Sequence, residues 1–259
     1  MYATERQEQI ELTLAVDGRV SVVELADRFD VTTETVRRDL AQLESSGALR
    51  RVHGGAVAAD RASTTEPPLV ERLQRHSAAK SAIGRRAVAA VADGFRGSVF
   101  LDAGTTTAAV ATHLAPLVSA GSIEVVTHAL TLASALAATP NAALTLIGGR
   151  VRGLTAAAVG ADTVRAIESM RPDVAFIGTN GVSAGFGLST PDPDEAAVKR
   201  AIVRSARRVV VVADAEKLGR ELLVGFAPLA EVDVLVTDAA PDPELSAALS
   251  DAGVEVWIA

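Results

Sequence analysis

Seven short apolar segments, separated by stretches long enough for helices, constrain the fold of this chain more than any other feature. They comprise residues 98–101, 123–126, 143–147, 174–177, 209–213, 232–236 and 254–258. Strands that are apolar on both faces are typical of a buried, largely parallel sheet with helices on both sides. The pattern predicts an α/β domain, with Ala-rich crossover helices after Thr106, His128 and Ala161. The best-marked helix begins at Asp192, with proline next and Glu195 three residues after the cap.

The residues after the first of these strands form a candidate phosphate-binding motif. Ligands of such sheets bind beyond the carboxyl ends of the strands, and here those residues include Asp102, Gly104, Thr105, Thr106 and Thr107. Glycine permits close approach of the backbone, while threonine hydroxyls and the free amides of a following helix suit a phosphate. A structural turn with helix-capping threonines is the alternative explanation.

Further loops follow the other strands. They comprise residues 127–128, 148–153, 178–181 and 214–219. Each is weak evidence alone, since glycine after a strand often only turns the chain. Because Arg150, Arg152 and Lys217 lie among them, the set predicts a pocket for a small anionic, hydroxylated molecule. The dinucleotide glycine spacing is absent from the first strand-to-helix turn and the Walker spacing is absent throughout, so we expect no cofactor.

Residues 31–57 predict a DNA-recognition helix followed by a basic hairpin. Val36, Leu40 and Leu43 form one apolar stripe, so the face carrying Arg38 points outward. The following residues alternate apolar and basic side chains around a Gly-Gly turn, which predicts a wing that grips the DNA backbone. The candidate DNA contacts are Thr33, Thr35, Arg37, Arg38, Arg50, Arg51 and His53.

Two capping-box patterns, beginning at Thr4 and Ser21, predict two further helices before the recognition helix, for which Thr32 is the expected N-cap. Their apolar faces include Ile10 and Phe29. Three short helices with a tight turn before the last make a helix-turn-helix, and the hairpin makes it winged. Adjacent arginines alone are more often a solvated surface than a DNA contact. The two helices predicted before them favour the DNA-binding interpretation.

The charge of the chain excludes binding to DNA by bulk electrostatics. The net charge is −7, and residues 1–57 contain seven arginines against ten acidic residues, a net of −3. Four of those arginines lie in the predicted recognition helix and wing. We therefore expect modest non-specific affinity and specific contacts made twice, by a homodimer or higher homo-oligomer on double-stranded operator DNA.

Composition limits the remaining possibilities. The 259 residues contain no cysteine, and the four histidines, expected in loops or at the surface, show no metal-ligand spacing. No apolar run approaches the length of a membrane span and no leader opens the chain, so a cytoplasmic protein is expected. We expect a winged helix-turn-helix over residues 1–57, a linker over 58–76 and a ligand-binding domain over 77–259.

The motifs resemble the DeoR family of bacterial transcription regulators over nearly the whole chain. The N-terminal part is SVVELADRFDVTTETVRRDLAQLESSGALRRVHGGAV, and the later parts are DAGTTT, LIGGRVRG, DVAFIGTNG, STPDPDEAAVKRAI and VVVVADAEKLG. The segments MYATERQEQI and GTNGVSAGFGLSTPDPDEAAVKR are similar to the actinobacterial branch that governs fructose uptake and phosphorylation. The resemblance implies a sensor domain with the fold of ribose-5-phosphate isomerase and glucosamine-6-phosphate deaminase, and a phosphorylated sugar as effector.

The resemblance also implies site residues. Asp102, Gly104 and the three threonines after it match the phosphate loop, while other pocket positions of the family match Thr127, Asn180, Glu195, Asp214 and Lys217. Arg152 completes the expected effector site, because its positive charge suits an anionic ligand. Two departures stand out: His128 replaces an Asn common in the family, and residues 179–181 lack the carboxylates that the isomerases place there. Because isomerisation needs a general base, this loss favours binding without turnover.

We expect a repressor, not an enzyme, that leaves its operator when a phosphorylated sugar changes the placement of the DNA-binding domains. Fructose 1-phosphate is the first candidate effector and fructose 1,6-bisphosphate the second, both on resemblance. The alternatives are an isomerase-like enzyme with an appended DNA-binding domain, and an activator or architectural DNA binder with a vestigial pocket.

Overall fold

The chain forms two compact units, Met1–Glu66 and Pro67–Ala259. The structure is a computed structural model that describes residues 3–17, 19–45, 48–52, 54–58, 63–64, 66–91 and 94–259. The boundary between the units lies inside the expected linker of residues 58–76. That segment also contains a helix, α4 (Leu69–Gln74), which is too short to show a sustained apolar period in the sequence.

The first unit contains the expected helix-turn-helix and hairpin. Its described elements are α1 (Ala3–Asp17), β1 (Arg19–Ser21), α2 (Val22–Phe29), α3 (Thr33–Ser45), β2 (Leu49–Val52) and β3 (Gly55–Ala58). Its core includes Ile10, Leu25, Phe29, Val36 and Leu40, so the predicted apolar faces are the buried ones. The sequence did not predict β1, which pairs with β3 and makes the wing three-stranded.

The two glycines of the hairpin have different roles, although both were predicted in the turn. Gly54 lies in the turn and has a positive φ of 83°. Gly55 belongs to β3, where it pairs with Val52 and where a Cβ atom would lie 2.0 Å from the carbonyl oxygen of Val20. Glycine is therefore needed at position 55 for the close approach of β1, not for the turn.

The helix caps of this unit follow the predictions only in part. The hydroxyl of Thr32 accepts a hydrogen bond from the Thr35 amide at 3.2 Å, as expected for an N-cap. Ser21 occupies the N-cap position of α2, but its side chain makes no capping bond. The helix predicted from Thr4 is present, but α1 already includes Ala3, so Thr4 lies inside the helix rather than capping it.

The second unit is built on a seven-stranded parallel sheet, as the apolar segments predicted. Its strands are β4 (Gly97–Leu101), β5 (Ile123–Thr127), β6 (Ala143–Leu146), β9 (Val174–Gly178), β12 (Val209–Val212), β14 (Val234–Thr237) and β15 (Glu255–Ile258). Among the described residues their order is β15-β14-β12-β9-β4-β5-β6. The chain builds outward from β4 to β6 and then returns to build outward from β9, so the strand order reverses between β4 and β9.

Helices cover both faces of this sheet. One face packs against α5 (Ser77–Ala87), α6 (Thr105–Ser119) and α7 (Leu130–Ala137). The other face packs against α8 (Ala161–Glu168), α9 (Pro193–Ser205) and α10 (Pro243–Asp251). Alternate residues of each strand enter the two apolar cores, which explains why the segments are apolar throughout.

Two small antiparallel sheets complete the unit and were not predicted. One is the hairpin of β7 (Arg150–Arg152) and β8 (Ala157–Val159); the other consists of β10 (Gly181–Ser183), β11 (Gly187–Thr190) and β13 (Val224–Ala227). The strands are three or four residues long and several contain glycine or arginine, so they show no clear alternation. The glycine-rich loops expected after β6 and β9 thus lead into short strands.

Candidate functional site

The centre of the candidate effector site is Asp102, at the reversal of strand order. It directly follows β4, and its Oδ2 atom accepts a hydrogen bond from the amide of Gly178, at the end of β9, at 3.0 Å. The side chain is completely buried. In open α/β sheets the crevice at such a reversal is where ligands bind, so Asp102 lies at the position that the fold favours.

Lys199 is the charged partner of Asp102 and was not predicted. Its Nζ atom lies 2.5 Å from Oδ2 of Asp102 and 2.9 Å from the carbonyl oxygen of Gly178. The lysine is 5% exposed. One signal was present in the sequence: Lys199 lies four residues after Glu195, one helical turn along the same face of α9, between the buried Val198 and Ile202.

His128 completes this network, which corrects its expected place in a loop or at the surface. Only 2% of the residue is exposed, and Nδ1 lies 2.8 Å from the carbonyl oxygen of Ala158, so Nδ1 carries a proton. Nε2 lies 3.0 Å from Oδ1 of Asp102 and 3.2 Å from the amide nitrogen of Ala103. A protonated Nε2 donates to the carboxylate, whereas an unprotonated one accepts from the amide.

The charge state of Asp102 follows from these contacts. Burial by itself would raise the pKa of Asp102, but the charge of Lys199 and the hydrogen bonds from His128 and Lys199 outweigh burial and lower it. Asp102 is therefore an anion at neutral pH. The centre of the site holds a buried, fixed negative charge with a cation beside it.

The phosphate loop surrounds the first turn of α6. Gly104 is its N-cap, with a φ of 151° that favours glycine, and the helix amides that follow have no acceptor within the helix. Thr105 is half-buried and reaches a cleft of 340 Å³ between α4, α6 and α7. Thr106 is buried, and the completely buried Thr107 donates its hydroxyl to the carbonyl oxygen of Gly104 at 2.9 Å. Thr107 therefore shapes the loop from within.

Arg152 lies on the β7–β8 hairpin and faces the start of α9. It donates from Nε to Asp192 at 3.1 Å and from Nη1 to Glu195 at 3.2 Å. Asp192 also caps α9 by accepting from the Glu195 amide at 2.9 Å. The structure thus brings two predicted site residues, Arg152 and Glu195, together with Asp192, which the sequence predicted as a helix cap but not as part of the effector site. Arg150, on the same strand, pairs with Asp194.

The other predicted effector residues are not gathered at one point. Thr127 is completely buried; its hydroxyl donates to Leu101 and accepts from the Ala129 amide, so it joins strand ends rather than facing a ligand. Asn180 accepts from Thr190 at 3.1 Å.

Asp214 and Lys217 follow β12, which is separated from β4 by β9. Asp214 is buried, and its Oδ1 has no hydrogen-bond partner among the described residues.

The exposed face of α3 is the candidate DNA interface. Thr33, Arg37 and Arg38 are exposed and Thr35 is half-buried. Arg37 lies 3.5 Å from Glu34 and remains 57% exposed, so this weak pair leaves it available to phosphates. On the wing, Arg51 is exposed and its amide donates to Glu44 at 2.8 Å. The side chain of Arg50 and the whole of His53 lie outside the described residues, so their role stays a prediction.

A buried ion pair fixes α3 against α1. Arg6 contacts Asp39 through Nε at 2.5 Å and through Nη2 at 3.1 Å, and the two side chains are 7% and 5% exposed. The hydrogen bond from Arg6 to Asp39 raises the pKa of the guanidinium further above neutrality. Gln7 adds hydrogen bonds to Asp39 and Gln42. A bidentate contact of this kind holds α3 against α1.

Two absences apply to the described part of the chain. No group of three or more histidine, aspartate and glutamate side chains there is arranged to hold a metal ion. No described helix has the length and apolar character needed to cross a membrane.

Known proteins match both units. Residues 6–62 match the DeoR-like helix-turn-helix domain, and residues 75–239 match the DeoR C terminal sensor domain. The HTH-type transcriptional regulator GlpR of Haloferax volcanii is 40% identical over 99% of this chain and 98% of that protein. FruR, an HTH-type regulator of Bacillus subtilis, is 33% identical over 92% of each chain. The Glycerol-3-phosphate regulon repressor of Escherichia coli is 30% identical over 99% of each.

Solved structures align more distantly. Ribose 5-phosphate isomerase A from Methanocaldococcus jannaschii aligns with a TM-score of 0.38 and 18% identity, over 54% of this chain and 53% of that chain. The family assignment therefore depends on the sequence matches, which cover both units. From these matches, the chain belongs to the DeoR family of helix-turn-helix transcriptional regulators, and it is a regulator rather than an enzyme.

Proposed function

We propose that this protein represses genes of sugar catabolism and leaves its operator when a phosphorylated sugar binds the second unit. The observation that carries the proposal is the pairing of Asp102 with Lys199 beside the first turn of α6. The buried pair fixes the ends of β4 and β9 beside this turn, where the helix amides can hold a phosphoryl group. A relative that represses the glycerol-3-phosphate regulon supports this class of effector.

In this proposal the phosphoryl group binds at Gly104 and Thr105. Glycine lets the backbone come close to the ligand there, and the first amides of α6 have no acceptor within the helix. The pair formed by Arg152 and Glu195 lies at the start of α9, whose Lys199 contacts Asp102. A ligand that reaches from α6 to α9 would meet carboxylates that accept hydrogen bonds and basic side chains that donate them. A polyhydroxylated molecule requires both. Fructose 1-phosphate is the first candidate and fructose 1,6-bisphosphate the second, on the resemblance of residues 178–200.

The DNA side of the proposal uses the exposed face of α3. Arg38 reads a base edge in the major groove, while Arg37, Arg50 and Arg51 contact phosphates. A homodimer would present two such helices to successive major grooves, about 34 Å apart. Doubling the contacts compensates for the acidic net charge of −7.

The test is operator binding by the full chain, titrated separately with fructose 1-phosphate, fructose 1,6-bisphosphate, glycerol 3-phosphate and unphosphorylated fructose. We expect one phosphorylated compound to weaken binding by about ten- to a hundredfold, in line with a typical coupling energy per site. The same compound should stabilise the protein by about 2.7 kcal/mol at 100 times its Kd. Flat melting curves with every phosphorylated sugar, together with unchanged operator binding, would refute the proposal.

A further inference from the structure

Helix α4 is the first helix of the second unit, and it contributes almost nothing to the apolar core. None of its residues is buried, and Val70 and Leu73 are 70% and 50% exposed. It follows Pro67 and Pro68, which continue directly into the chain of the DNA-binding unit. A helix with so few buried apolar contacts opens at low energetic cost. Its position is therefore set by whatever polar contacts it makes.

Those contacts go to the loops of the candidate effector site. Nη2 of Arg72 donates to the carbonyl oxygen of Leu154, between β7 and β8, at 3.4 Å. His76, just after α4, lies 2.9 Å from Glu216, in the loop after β12. Leu69 and Leu73 line the same 340 Å³ cleft as Gly104 and Thr105 of the phosphate loop. Segment 69–76 therefore contacts or faces three separate loops at the effector edge.

Lys80 holds the end of α4 in place. Its Nζ atom donates to the carbonyl oxygens of Arg72 at 2.5 Å and Arg75 at 2.6 Å, which are acceptors that the end of a helix leaves free. The lysine is 6% exposed. Burial lowers its pKa, and the charge of Asp214, after β12, opposes that shift. A buried cation whose hydrogen bonds go to carbonyls is a costly arrangement, which points to a role beyond packing.

We propose that α4, held by Lys80 and by the pair of His76 and Glu216, is the element that transmits occupation of the phosphate loop to the DNA-binding unit. It forms one wall of the cleft that the phosphate loop opens into, and it is continuous with the chain leading to the first unit. A ligand at Gly104 and Thr105 changes the cleft next to Leu69 and Leu73. Because no residue of α4 is buried, α4 is the wall of that cleft that moves at the lowest energetic cost. This inference rests on the proposed function for the identity of the ligand but not for the role of α4.

The test compares three substitutions in the full chain. Lys80→Met keeps an apolar stem but removes the bonds to the carbonyls. Glu216→Gln removes the negative charge from a half-exposed pair without disturbing the core. Arg200→Met is the matched control, because Arg200 also donates to a backbone carbonyl, that of Gly225 at 2.7 Å, but on the opposite face of the sheet. Each variant is measured for fructose 1-phosphate binding by calorimetry, for operator affinity with and without that compound, and for amide exchange in residues 69–74.

We expect Lys80→Met and Glu216→Gln to bind fructose 1-phosphate within about threefold of the wild type but to lose most of an about tenfold shift in operator affinity. Amide exchange in α4 should rise in both variants, while Arg200→Met behaves like the wild type. Full retention of the shift in both variants would overturn the inference.

If fructose 1-phosphate neither binds the wild type nor releases it from the operator, the assignment of that effector fails independently of the role of α4. The ligand-free operator affinities then decide the role of α4: a change of about fivefold in the two α4 variants alone supports it, and equal affinities in all three overturn it.

Discussion

Nζ of Lys199 lies 2.5 Å from Oδ2 of Asp102, and both side chains are buried at the carboxyl ends of β4 and β9. Burying two charges costs desolvation energy that their attraction need not recover, so such a pair is weak evidence for stability. Apolar residues of similar volume would serve the core as well or better. The pair is therefore best explained by its position, where it joins the ends of β4 and β9 beside the phosphate loop. Its energetics are testable.

Removing one partner of this pair should harm the protein more than removing both. Lys199→Met leaves the Asp102 carboxylate buried without its cation, and we expect a loss of about 3 kcal/mol in the free energy of unfolding. The double substitution with Asp102→Leu should recover at least about 1 kcal/mol of that loss. Urea denaturation of both variants measures this. A double variant less stable than the single one would contradict it.

The lowered pKa of Asp102 predicts how its contribution depends on pH. Burial opposes the shift, but Lys199 and His128 lower the folded-state pKa below the usual value of about 3.9. Asp102 therefore contributes stability above the unfolded pKa and loses it as pH falls through the folded pKa. The difference in unfolding free energy between the wild type and Asp102→Asn should be constant near neutrality and shrink below about pH 4. Urea denaturation as a function of pH measures it, and a difference that grows in acid would argue against it.

The hairpin arginines provide an internal comparison. Arg152 is 18% exposed and contacts two carboxylates, whereas Arg150 is 64% exposed and pairs with Asp194. We expect Arg152→Met to lower the free energy of unfolding by about 1 to 3 kcal/mol and Arg150→Met by less than about 1 kcal/mol. Thermal and urea denaturation check both values. Equal effects would show that the hairpin is not fastened through Arg152.

The buried pair of Arg6 and Asp39 should matter for DNA as well as for stability. Arg6→Met leaves the Asp39 carboxylate without its bidentate partner, which should cost about 3 to 5 kcal/mol of unfolding free energy. Arg28→Met is the control, because Arg28 makes an exposed hydrogen bond to Thr13. At a temperature where both variants remain folded, Arg6→Met alone should weaken operator binding. Normal operator affinity in folded Arg6→Met would show that α1 does not orient α3.

Salt dependence separates the wing from the recognition helix. Arg51→Ala should weaken binding to every DNA sequence similarly and reduce the slope of log K against log salt by about one. Arg38→Ala should instead reduce discrimination against altered operators by about 1 to 3 kcal/mol. Arg165→Ala, exposed on α8 in the second unit, is the control. An unchanged slope in Arg51→Ala would remove the wing from the interface.

Much of the fold was predictable because its signals are local. The apolar segments predicted all strands of the large sheet, and the capping residues Thr32 and Asp192 marked the starts of α3 and α9. The elements that were missed are short. Helix α4 and the strands of the two small sheets are held by partners distant in sequence, so their own residues carry little periodic pattern.

The sequence by itself determined that this protein has a winged DNA-binding unit and a parallel-sheet unit, because helical and strand periods and turn residues are properties of neighbouring positions. It also located Asp102 and the phosphate loop, since both directly follow a recognisable strand. Only the tertiary structure decided that Lys199 and His128 meet at Asp102 and that Thr127 and Thr107 face inward. These contacts depend on how α9 and β5 are placed against β4, and placement across dozens of residues is fixed by the packing of whole elements, which no local pattern encodes.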